Sequence, residues 1–114
     1  MNLKRYIDVA VRREIRRVSD GPYGPSASVL CKKILGLLSS FQPQNEKQER
    51  AIEMATPMIK RIPRLHKWDE DNGGDKAHVE CGKAAHLFRT SGLFNESPTG
   101  RQIGGFFDDL FDIL

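Results

Sequence analysis

Apolar residues recur along this chain at the three- and four-residue intervals of an α-helix, with no strand-like alternation. The first such stretch runs from Leu3 to about Val18, with Asn2 able to cap it. Leu3, Tyr6, Ile7, Ala10, Val11, Ile15 and Val18 share a broad face, and Arg5, Arg12, Arg13 and Arg16 hold the other. Glu14 falls inside the apolar arc, where Arg17 three positions on can pair with it. The stretch "SDGPYGPS" (19–26) is turn chemistry, and its Pro22–Pro25 spacing reads as a loop.

A second helix is expected from about Ser26 to Ser40. Ala27, Leu30, Cys31, Ile34, Leu35, Leu37, Leu38 and Phe41 fill one arc, opposite Lys32, Lys33, Gly36 and Ser39. It is the most apolar segment and the expected centre of the core. Asn45 then caps a third helix whose stripe is Ala51, Ile52, Met54, Ala55, Met58, Ile59 and Ile62. The stripe keeps register through Pro57, so the pattern predicts a kinked helix, or two abutting at Thr56, ended by Pro63. "WDEDNGGD" (68–75) reads as an acidic loop. Asp75 can cap a fourth helix to about Thr90, stopped by Gly92, with Ala77, Cys81, Ala84, Ala85, Leu87 and Phe88 inward. Thr99 is the expected cap of a last segment. The pattern predicts one all-α domain over residues 1–114, with about five helices.

The chain ends in "FFDDLFDIL". On a helix, Ile103, Phe106, Phe107, Leu110, Phe111, Ile113 and Leu114 fall within roughly 160° of arc. Asp108, Asp109 and Asp112 cluster opposite. Three aspartates near a helix C-terminus oppose its dipole by roughly 0.3–1 kcal/mol each, and Gly104 and Gly105 lower helix propensity by about 1 kcal/mol apiece. Burial at roughly 1.5–3 kcal/mol per large apolar side chain outweighs both, so something must cover this face. The cover is the chain's own core, a second copy, or a partner protein.

Charge divides the molecule. Residues 1–68 hold fourteen Lys/Arg against six Asp/Glu, whereas residues 69–114 hold four against nine. Two basic clusters stand out: Lys4, Arg5, Arg12, Arg13, Arg16 and Arg17 on the first helix, and Lys60, Arg61, Arg64, His66 and Lys67 beside Trp68. Such clusters suit phosphates. A helix-turn-helix across the second and third helices is conceivable, but Glu49 and Glu53 suit a groove lined with anions poorly. Backbone or shape contact, with RNA favoured over an operator, is therefore expected.

The 39% hydrophobic and 29% charged composition is that of a folded chain. No apolar run approaches the ~18 residues of a membrane span, and the N-terminus lacks a secretory apolar core. Asp8 and Glu14 argue against a mitochondrial presequence. Two thiols fifty positions apart suit a cytoplasmic or nuclear setting, not secretion. "HVEC" (78–81) offers an HxxC pair, but Cys81 and His86 lie about 140° apart on a helix. No metal, cofactor or catalytic group is expected: phosphate loop, dinucleotide fingerprint and HExxH are missing from the sequence. The expected function is a small non-enzymatic regulatory adaptor, with nucleic acid on its basic N-terminal surface and protein, or a second copy, on its last helix. The alternative is a pure protein-binding module, an inhibitor or scaffold such as viral or phage accessory factors provide.

Overall fold

Ser26 opens the first described helix, α1 (Ala27–Ser40), its side chain accepting a hydrogen bond from the Val29 N–H at 3.2 Å. The computed structural model describes residues 26–114; the helix expected over residues 3–18, the following turn and the arginine cluster lie outside them. The other elements are α2 (Glu46–Asn72), α3 (Lys76–Ser91), α4 (Leu93–Glu96) and α5 (Pro98–Ile113). The described residues are all-α, with no strand among them.

The principal departure from expectation is that α2, one helix through Pro57, also continues through Pro63, its expected end. A proline inside a helix costs ~3 kcal/mol through its missing N–H and its ring. Pro57 stands on the exposed side, as its register predicts. Pro63 does not end the helix because the buried stripe continues beyond it: Ile59 and Ile62 are followed by Leu65, packed on the core, and by buried Asp69. Most of the expected loop at 68–75 is thus the last turn of α2. Only Gly73 to Asp75 separate α2 from α3.

Asp69 makes that short corner. Its carbonyl accepts from the Gly73 and Gly74 N–H groups at 2.7 and 3.2 Å. Its carboxylate accepts from the N–H groups of Lys76 and Ala77 at 2.9 and 2.8 Å, satisfying two orphan donors of α3. Asp75, the expected cap, makes no side-chain capping bond. Gly73 supplies the left-handed conformation, at φ 70°, that turns the chain. At the other end of this antiparallel pair, Asn45 caps α2 through the Gln48 N–H at 2.9 Å. The buried Gln48 amide accepts from the Gln44 N–H at 2.8 Å and donates to the Ser91 carbonyl, the last residue of α3, at 3.2 Å. The α2–α3 pair, the most extensive helix contact, is thereby fastened at both ends.

Helix α5 starts earlier than expected. Ser97, not Thr99, is the cap, accepting from the Gly100 N–H at 3.1 Å, and Pro98 takes the first helical position, where its lost donor is harmless. The helix lies across α1, α3 and α4. Ile103, Phe107 and Leu110 are buried in the shared core. Phe88, Phe94 and Phe107 meet pairwise at 5.7–5.8 Å between ring centroids, a mutually supporting aromatic cluster. Gly104 has a packing reason: the Phe94 ring approaches within 3.4 Å of where its Cβ would be. The expected polar side of α5 is only partly polar, because Asp109 is buried (3% exposed), and it is engaged in an interaction. Coverage extends past the apolar arc on the flank shared with Phe106 and Ile113.

Candidate nucleic-acid interface

The core stripe of α2 fixes what its opposite side presents. Ala55, Ile59 and Ile62 point inward; Lys60, Arg61, Arg64 and Lys67 are all exposed and fall within roughly 120° of arc on the outer side. They span about 10 Å of helix, the axial rise of about three nucleotides in one duplex strand. Arg61 reaches Glu80 of α3 at 3.2 Å. Among the described residues Lys60, Arg64 and Lys67 make no ion pair. Glu53 and Asp71 bound the cationic stretch at either end of the same side.

Trp68, 42% exposed, ends the row. The Lys76 ammonium, brought round by the Asp69 corner, sits 3.8 Å from its ring centroid. No linear spacing announces this contact, because the two residues belong to helices joined by a three-residue turn. Gly74 is needed for the fit: a Cβ there would lie 2.8 Å from the indole and 2.9 Å from the Asp69 carboxylate. Lys76 thus joins the four cations found from sequence, but it covers one side of the indole. A base stacking there would have to displace the ammonium.

The remaining candidates fall elsewhere. Lys4, Arg5, Arg12, Arg13, Arg16 and Arg17 lie outside the described residues. Ile103, Phe107 and Leu110 are covered from within the chain, while Phe106, Phe111 and Leu114 are half-buried against the same core. Lys33 of α1 stands 5.8 Å from the Phe106 ring.

Cys31 and Cys81 are free and buried. Burial pushes both thiols up to about 12, and the neighbouring Cys31 adds to the effect at Cys81, the reverse of what a thiolate nucleophile requires. His78 meets Phe111 edge-on at 5.3 Å, His66 lies 3.0 Å from Glu70, and His86 is exposed. No group of three His, Cys, Asp or Glu among the described residues could hold a metal ion. None of the described helices is long and apolar enough to cross a membrane. No protein-family model, curated protein or solved structure matches the chain.

Proposed function

We propose that this protein is a non-enzymatic helical adaptor that holds nucleic acid, RNA in preference, by its phosphate backbone. The observation that carries the reading is the row Lys60, Arg61, Arg64 and Lys67 on the outer side of α2, extended by Lys76 at the corner. The arginines expected on the first helix would enlarge the cationic surface. Point charges on a helix exterior, without a polar array shaped to base edges, favour affinity without sequence readout.

The test is a binding titration of the whole chain against mixed single-stranded RNA and duplex DNA at several salt concentrations. Affinity should fall steeply with salt, by roughly 0.7 log units per log unit of salt for each phosphate neutralised on a single strand. Lys60→Ala/Arg64→Ala/Lys67→Ala should reduce that slope by about two to three units for duplex DNA, while melting like the parent. A full slope in this variant would remove α2 from the interface. No binding at about 50 mM salt would end the nucleic-acid reading. The alternative, a module gripping an acidic protein surface, uses the same side and is supported by the Arg61–Glu80 pair, in which this face already holds a carboxylate.

A further inference from the structure

Between α3, α4 and α5 the surface opens into a groove of about 470 Å³. That volume is within the roughly 300–1,000 Å³ of sites that enclose small molecules. Its floor is aromatic, with buried Phe107 flanked by half-buried Phe94 and Phe111. Arg89, in the last turn of α3, and Arg101, in the first turn of α5, border it. Both are exposed, and neither is in an ion pair among the described residues. Gly104, against which the Phe94 ring packs, and Gly105 complete this side of the lining.

The placement of Arg101 breaks a local rule. A cation in the first turn of a helix is opposed by the helix dipole, and no described carboxylate lies within ion-pair distance of it, although Asp108 also lines the groove. An anion in the groove would relieve that conflict and would satisfy Arg89 as well. Planar guanidinium groups match phosphate oxygens two at a time, and aromatic floors receive flat rings. The groove therefore combines a place for a charge with a place for a ring.

We propose that this groove binds a nucleotide, its base lying against Phe94 and Phe111 and its phosphate held by Arg89 and Arg101. The nucleotide could come free or as one residue of a single strand. None of these residues belongs to the cationic row of α2, so the two readings stand or fall separately.

The experiment is titration of the full chain with UMP and with AMP, followed by backbone amide shifts. Binding at a dissociation constant of about 1 mM or tighter should move the amides of Phe94, Arg101, Gly104 and Gly105. Arg89→Ala/Arg101→Ala, which alters two exposed side chains, should melt like the parent and bind at least about tenfold more weakly. Lys60→Ala/Arg64→Ala/Lys67→Ala should bind UMP as the parent does. Unmoved groove amides at about 10 mM of either nucleotide would overturn the proposal, as would undiminished binding in the arginine variant. Inorganic phosphate binding as tightly as UMP would also overturn it, since the ring would then contribute nothing. A short oligouridine that displaces UMP from the same amides identifies a strand as the source; one that does not leaves the free nucleotide.

Discussion

Two glycines in helices have opposite meanings. At Gly100 an added Cβ would overlap the Leu93 carbonyl oxygen, because the first turn of α5 rests directly on α4. At Gly36, on the exposed side of α1, it would meet nothing within 4 Å. Gly100→Ala should therefore destabilise the fold by more than ~2 kcal/mol, whereas Gly36→Ala should stabilise it by about 0.5–1 kcal/mol through lower backbone entropy in the unfolded chain. Urea or thermal melts of the two variants side by side check both signs. The sequence alone does not show this contrast: Gly36 falls opposite the apolar arc of α1, and Gly100 directly follows the expected cap Thr99. Only the neighbour across space separates them. The same holds for Asp109, which helical register places beside aspartates yet packing encloses.

Among the elements, periodicity located α1, α2, α3 and α5 and their inner faces, but not the single turn of α4. Ala27 to Leu38 in α1, Ala51 to Ile62 in α2 and Ala77 to Phe88 in α3 bury most of the positions their spacing selects, but Met54, on the expected stripe of α2, is 49% exposed. The ends were less legible, for a physical reason. Pro63 and the acidic, Gly-rich stretch after it are strong local breakers, and local chemistry alone ends the helix there. What extends α2 is Asp69, a residue read as part of a loop that instead caps another helix. Asp69→Ala removes the carboxylate that accepts from two backbone N–H groups at a buried corner and should cost about 1–3 kcal/mol. It should also loosen Trp68 from Lys76, readable as a changed tryptophan emission. A variant with parental stability and emission would show that the corner is held by other contacts. The candidate interface was half legible: the four cations follow from register, but Lys76 does not.

For the whole molecule, the decisive matter is where the chain's last helix goes. Phe107 is 2% exposed, between Phe88 and Phe94, and Leu110 and Ile103 are fully buried beside it. Phe107→Asp would place a charge in that cluster while emptying the volume of a ring. Its cost, at least ~4 kcal/mol, is comparable with the whole stability of a domain this size. The variant should lose helical circular dichroism cooperatively at ambient temperature. If it instead kept its helicity and lost only an association, α5 would belong to an interface rather than the core. Meanwhile α2 and α3, fastened at the corner by Asp69 and at the far end by Gln48, cannot scissor apart without stripping a buried polar group of its partner. If the proposed function holds, cations mounted on so stiff a frame need no folding step before meeting a polyanion. The entropy surrendered on capture would then be confined to a few long side chains, leaving encounter to be governed by electrostatic steering.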